Sequence, residues 1–212
     1  MQEDKKSVNA QKAKAIKQAA FSLIVERGLC EMTTAMVADK AEASRGLIHY
    51  YFESKEKLII EVMRSILGSY LGIVKEVLEQ YPDNEERLEK GLSDFWEGFK
   101  ADPSLMIAIF ETKINGRNSQ ELRERMVEFY GEVLDELKKP LLAGWGATDN
   151  ASEKEAEAIA SIVLGAIESL SLHYILDPKT TDFEYTLDVL NRTIKTILRD
   201  RRSSPPNAMA RG

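Results

Sequence analysis

Between Ser44 and His49 the chain sets a hydroxyl, a guanidinium, a bare backbone position and an imidazole, with Tyr50 and Lys55 close behind. Thr33 and Thr34 stand a few residues upstream. These groups donate and accept hydrogen bonds or carry a fixed positive charge, which is the chemistry of binding rather than of bond cleavage. Arg45 can grip a guanine edge with two parallel bonds, a contact worth about 1–3 kcal/mol of discrimination. Gly46 lets a helix approach a groove closely, and Leu47 suits a thymine methyl. His49 suits a base edge or a phosphate. Thr33, with Thr34 beside it, Tyr50 and Lys55 suit phosphates as a cap hydroxyl, a phenol and an ammonium at a helix N-terminus.

Two short helices and a tight turn would position this set. Thr33 or Thr34 can cap a first helix by accepting unpaired amides of its opening turn, with Met36, Val37 and Ala41 on one face. Ser44 can cap a second, in which Leu47, Ile48, Tyr51 and Phe52 recur at helical spacing. Ser54 can cap a third. Helices of about two turns cannot enclose a core alone, so they pack on a neighbour. The pattern matches a helix-turn-helix, whose second helix lies in the major groove.

The order KAIKQAAFSLIVERG, then TT-x-x-V-A-x-x-A, then S-R-G-x-I-x-Y-Y-F-x-x-K-x-x-L resembles the N-terminal domain of the TetR family of bacterial transcriptional regulators. The resemblance covers about residues 10–60 and rests on Ala38, Ala41, Ser44, Gly46, Tyr50, Phe52, Lys55 and Leu58. Glu42 departs from it, standing where glycine is usual in the turn; a positive φ kept there has a conformational cost. His49 stands where tyrosine is frequent, which bears on the sequence read. The resemblance implies a cytoplasmic repressor that binds a palindromic operator as a homodimer and is released by a small-molecule effector.

Charge permits this reading without carrying it. The 212 residues have a formal net charge of −6, but residues 1–60 hold 10 Lys/Arg against 8 Asp/Glu, leaving 19 against 27 beyond. The excess of positive charge therefore sits with the helix-turn-helix. One cysteine, Cys30, excludes an internal disulfide and fits a reducing compartment. Two histidines far apart leave no ligand spacing for zinc, and no metal or cofactor is expected. Without a Gly-rich phosphate loop, G-x-S-x-G or H-E-x-x-H, no catalytic residue is expected either. The N-terminus lacks the apolar core of a signal peptide. No run is expected to reach the 18 or more apolar residues of a membrane span.

The rest reads as helix after helix, with no sustained period-2 run, so the fold class is all-α. Residues 1–9 are polar and expected to be mobile, and Ala10 to Arg27 form an amphipathic helix stopped by Gly28. Lys55 to Glu79 form a long helix with Leu58, Val62, Ile66, Tyr70, Ile73 and Val77 in register, broken at Tyr81-Pro82-Asp83. Helices follow over Asn84 to Lys100 and Ser104 to Ile114. A longer one starts near Ser119 with Asn118 as its cap; Pro140 is expected to kink or end it, with Leu141 to Trp145 able to resume the helix before Gly144 and Gly146 close it. Ser152 is expected to cap the next, and a final helix carries Phe183, Leu187, Leu190, Ile194 and Ile197. The domains are 1–55, a three-helix helix-turn-helix unit; 56–202, a helical ligand-binding and dimerisation domain; and 203–212, a disordered Pro- and Ser-rich tail.

Two further candidate sites follow from the resemblance. An effector pocket is implied among Trp96, Phe99, Met106, Phe110, Met126, Phe129, Tyr130, Trp145, His173 and Tyr174, although such residues at helical spacing are commonly core, as His173 would also be. Glu111, Lys113 and Glu168 are candidates to orient a polar effector. A dimer interface is implied on the last two helices, through Ile159, Ile162, Val163, Ala166, Ile167, Leu170, Leu187, Leu190, Ile194 and Ile197, as an intermolecular four-helix bundle. Simple core packing is the competing account of those residues. The alternative functions are a helical protein-interaction adaptor and a DNA-binding protein without an effector.

Overall fold

The computed structural model describes residues 2–81, 84–116, 119–145 and 149–203. Among them are nine helices and no strand: α1 (Gln2–Arg27), α2 (Thr34–Lys40), α3 (Arg45–Phe52), α4 (Lys55–Gln80), α5 (Asn84–Ala101), α6 (Ser104–Gly116), α7 (Gln120–Trp145), α8 (Asn150–Leu176) and α9 (Phe183–Ser203). Pro82, Asp83, Asn118, Gly146 and the tail beyond Ser203 lie outside the described residues, and so do the expectations placed on them.

Helix ends follow local chemistry. Gly28, with φ of +83°, turns the chain out of α1 while its N–H donates to Ile24 O at 2.9 Å. Thr33 Oγ1 accepts from the Met36 N–H, Ser44 Oγ from the Leu47 N–H, both at 3.2 Å, and Ser54 Oγ from the Lys57 N–H at 3.1 Å. Each hydroxyl satisfies an amide that the first helical turn leaves unpaired.

Several expectations are corrected. The polar stretch 1–9 is helical from Gln2, because nothing in it breaks the helix and Asn9 Oδ1 accepts a bond from Tyr51 OH at 2.9 Å. At the start of α7 the Ser119 hydroxyl accepts from the Leu122 N–H at 3.3 Å. Of the two outcomes expected at Pro140, an end is excluded: α7 runs through the proline to Trp145. Leu141 is buried among Ala156, Ile159 and Val163, and that packing holds the turns that the local penalty of proline would release. The cap of α8 is Asp149 rather than Ser152: its carboxylate accepts the N–H groups of Ala151 and Ser152 at 3.0 Å each. Ser152 is buried in the first turn and donates its hydroxyl to Asp149 at 2.7 Å. Along α4, Ile73 leaves the buried register and is exposed.

The chain forms two compact units: residues 1–70 with 104–128, and residues 71–103 with 129–212. The first holds α1–α3, the opening part of α4, α6 and the start of α7. Its core includes Ile16, Ile24, Met32, Val37, Ile48, Leu58, Val62, Met63 and Ile109, all but fully buried. The short α2 and α3 thus gain from long helices the apolar partners they cannot supply to each other. The second unit centres on Leu92, Leu141, Ala156, Ile159, Val163 and Ile194, drawn from α5, α7, α8 and α9.

Helix α8 also corrects the expectation about apolar runs. It contains an 18-residue window of mean hydropathy 1.7, long and apolar enough by composition to cross a membrane, of which 39% is buried inside the fold. Glu168 interrupts it and accepts a bond from Tyr130 OH at 2.7 Å. A helix buried on one side needs apolar residues only there; α8 carries them on both sides.

Candidate nucleic-acid interface

The turn between α2 and α3 sets the geometry of the site. The Ala43 N–H donates to Ala38 O at 2.9 Å and the Glu42 N–H to Asp39 O at 3.3 Å, closing the α2 C-terminus in a Schellman arrangement. That motif needs a left-handed residue, and Glu42 supplies it with φ of 50°. The positive φ is therefore kept without glycine, because two backbone bonds depend on it. Ser44 then caps α3 directly.

Helix α3 divides cleanly. Ile48 and Phe52 are buried, and Leu47 and Tyr51 half-buried, whereas Arg45, Gly46, His49 and Tyr50 are exposed. Tyr50 is 72% exposed although its ring meets that of Tyr51 edge-on, with centroids 5.1 Å apart. Thr33 is exposed, Thr34 and Lys55 half-buried at the starts of α2 and α4. The structure thus brings Arg45, Gly46, His49 and Tyr50 onto one open face, with Thr33 and Lys55 at helix N-termini. Leu47 sits at its edge.

Polar contacts brace this unit. Lys40 of α2 pairs with Glu26 of α1 at 2.6 Å, and its bond holds the Glu26 carboxyl below its ordinary range, with Ser22 contributing. Lys57 pairs with Glu53, which pushes the Lys57 ammonium pKa up. From α6, Glu111 Oε2 accepts the Leu29 N–H at 2.9 Å and an Asn115 amide N–H at 3.2 Å. A Cβ at Gly28 would stand 3.1 Å from the same oxygen. Glu111, a candidate for orienting an effector, is instead committed to the backbone that leads from α1 to α2.

Sequence reasoning missed Glu53. It has φ of 61° and ψ of −46°, and the Ser54 N–H reaches back to Phe52 O at 2.6 Å, a γ-turn that closes α3 in one residue. His49 Nδ1 lies 2.8 Å from Glu53 O. No residue-type signal marks this turn, because glutamate is not a turn former; only the forced reversal between two packed helices requires it.

The effector candidates are distributed over both units. Met106, Phe110 and Met126 belong to the first unit; Trp96, Phe99, Phe129, Tyr130, Trp145 and His173 belong to the second. Trp96 and Phe99 meet Tyr174 and Phe183 in an aromatic cluster with ring centroids 5.1–5.5 Å apart. Phe129 and Tyr130 form a separate pair, and Trp145 packs on the core shared by α5, α7, α8 and α9. His173 is exposed, so it is not a core histidine. Trp96 also lines a groove of about 540 Å³ beside Asp94, Glu97, Glu184 and Asn191. Its indole N–H is buried with no acceptor among the described residues.

The dimer candidates split just as sharply. Ile159, Val163, Leu170, Leu187 and Ile194 are buried within the chain, while Ile167, Leu190 and Ile197 pack partly buried against the same core. Ala166 is half-buried. Of the ten, Ile162 alone is exposed, at 57%. The heptad spacing of α9 is thus used inside the chain. The apolar residues left outside are Ile162, Leu172 and Leu176 on α8, and Tyr185 and Val189 on α9. From Ala158 to Leu176 the exposed positions of α8 are Ala158, Ser161, Ile162, Gly165, Ser169, Leu172, His173 and Leu176, with no Asp, Glu, Lys or Arg among them.

Comparison with known proteins agrees with the geometry. Residues 16–62 match the bacterial regulatory proteins of the tetR family. The HTH-type transcriptional regulator BetI of Vibrio campbellii is 26% identical over 182 residues, covering 82% of this chain and 85% of that protein. A transcriptional regulator from Rhodococcus sp. Rha1 superposes with a TM-score of 0.75 at 22% identity, over 91% of this chain and 99% of its own. FadR of Bacillus subtilis, solved in complex with stearoyl-CoA, gives 0.68 at 19% identity, over 84% of this chain and 95% of its own. These two structures share the helical fold along nearly the whole chain.

Proposed function

We propose, from the premise that this chain belongs to the TetR family of bacterial transcriptional regulators, that it is a cytoplasmic repressor acting as a homodimer on a palindromic operator and released by a small-molecule effector. The observation that carries the DNA assignment is the open face of α3. A capped two-turn helix is held on a rigid unit with Arg45, Gly46, His49 and Tyr50 outward, as a major-groove reader requires. Arg45 and His49 take base edges; Thr33, Thr34, Tyr50 and Lys55 take phosphates; Leu47 takes a thymine methyl. The DNA-reading division remains residues 1–55, with the effector and dimer functions in 56–202.

The homodimer is supported by the uncharged exposed side of α8. A helix that leaves Ile162 and Leu176 57% and 73% exposed has an apolar face still to be covered, and a second copy covers it symmetrically. Two reading helices then meet half-sites about 34–36 Å apart. An effector is supported by FadR, whose structure holds stearoyl-CoA, and by the buried indole N–H of Trp96, which has no acceptor among the described residues. Helix α4 starts beside the reader and its residues belong to both compact units, so it is the proposed route by which an effector favours a geometry unfit for the operator.

The test is a selection of bound sequences from random duplex DNA, followed by fluorescence anisotropy and light scattering of the complex. A palindromic sequence bound by two chains is expected. Binding without sequence preference, or a protein that stays monomeric on DNA, would overturn the proposal. A thermal-shift screen of small molecules, scored for loss of operator binding, tests the effector.

A further inference from the structure

His49 carries information that its residue type does not. Its Nδ1 lies 2.8 Å from the carbonyl oxygen of Glu53. A carbonyl oxygen only accepts, so the ring nitrogen facing it must carry the proton. Glu53 O is free to take this bond because it lies at the C-terminal end of α3, where carbonyls lack partners along the helix. In the neutral imidazole the second nitrogen, Nε2, is then bare and can only accept. The ring is exposed on the same face as Arg45, Gly46 and Tyr50.

Resting on the DNA-reading assignment above, we propose that His49 is a specificity-determining residue whose Nε2 accepts a hydrogen bond from a base amine in the major groove. Only adenine N6 and cytosine N4 offer such a donor there; guanine and thymine present acceptors at the equivalent edge. A bare Nε2 also cannot bond a phosphate oxygen, since both would be acceptors. The local turn settles between the two roles that the residue type leaves open. The positive-φ turn at Glu53 gives the helix end its form, and the imidazole answers the carbonyl it exposes.

The experiment uses the full-length protein in mildly alkaline buffer with the selected operator. Each adenine of a half-site is replaced in turn by purine, and each cytosine by pyrimidin-2-one, which removes the amine alone. Loss of one amine is expected to weaken wild-type binding by about five- to tenfold, the scale of one hydrogen bond. His49→Phe is expected to bind the parent operator that much more weakly and to be indifferent to the same replacement. His49→Gln, whose carbonyl can accept, is expected to restore the dependence. Losing the exposed bond from His49 to Glu53 O should lower the melting temperature by only a few degrees, and an unchanged helical circular-dichroism spectrum excludes misfolding as the cause. Sequence-specific binding with no amine dependence, or equal dependence in wild type and His49→Phe, would overturn the His49 assignment alone. Failure to select any sequence would overturn the DNA-reading assignment and this one with it.

Discussion

Arg45 and Lys55 sit ten positions apart in one short motif, yet their surroundings predict different kinds of loss. Arg45 is exposed on the open face of α3, so Arg45→Ala should relax base preference at one position per half-site. Lys55 opens α4, where its ammonium adds to the positive end of the helix. Lys55→Ala should weaken every sequence alike and lower the slope of log affinity against log salt by about one. Anisotropy titrations against matched and mismatched duplexes at several salt concentrations separate the two. Equal, sequence-independent losses would remove the distinction. Glu42 supports a different kind of prediction. A left-handed residue with a Cβ costs about 1–2 kcal/mol, and glycine gives back about 0.5–1 through its freer unfolded chain. Glu42→Gly should therefore stabilise the protein by about 0.5–1 kcal/mol in a denaturant melt, with the Schellman bonds intact.

At the scale of elements, the caps connect composition to pH. The Asp149 carboxyl lies below its ordinary 3.8 because it accepts bonds from the Ser152 hydroxyl first and then from backbone amides of α8. A carboxyl whose folded pKa is depressed adds stability above the unfolded value and loses it as pH falls through the folded one. Asp149→Asn keeps the cap and removes the titration. Wild type is expected to melt above this variant at neutral pH, with the gap closing as pH falls below about 3.8. A gap constant down to pH 2.5 would contradict that. Helix α7 shows the limit of local reasoning: Pro140 leaves a kink or an end open, and the fold, with Leu141 buried one residue on, carries the helix through to Trp145.

For the whole molecule, the two sides of α8 and α9 make separable claims. Ile194 is buried in the core, so Ile194→Ala should cost about 2–4 kcal/mol of folding stability. Ile162 is exposed in the single chain, so Ile162→Glu should leave helical content unchanged while splitting the proposed dimer. Light scattering with circular dichroism reads both. A dimer that survives Ile162→Glu and Leu176→Glu together would move the interface elsewhere. On that proposal the apolar count of α8 makes sense: one side serves the chain's own core, and the other stays exposed in the single chain.

Much was determined by sequence alone. The caps at Thr33, Ser44 and Ser54, the stop at Gly28 and the helical spacing of Ile48 and Phe52 are local, set by which nearby groups can satisfy a backbone amide or share a face. The contacts proposed for α3 could be named for the same reason, since an exposed position opposite a buried one follows from helical geometry. Tertiary structure decided what spacing cannot. Heptad positions on α9 look the same whether the partner helix belongs to the chain or to a second copy, and only the fold shows them used internally. His173 lies beside an apolar stripe in sequence but on the open side of α8 in space. The proton on His49 likewise depends on a carbonyl that a one-residue turn brings to it. Each of these depends on which surfaces remain after the core has closed, and that is a property of the packed chain.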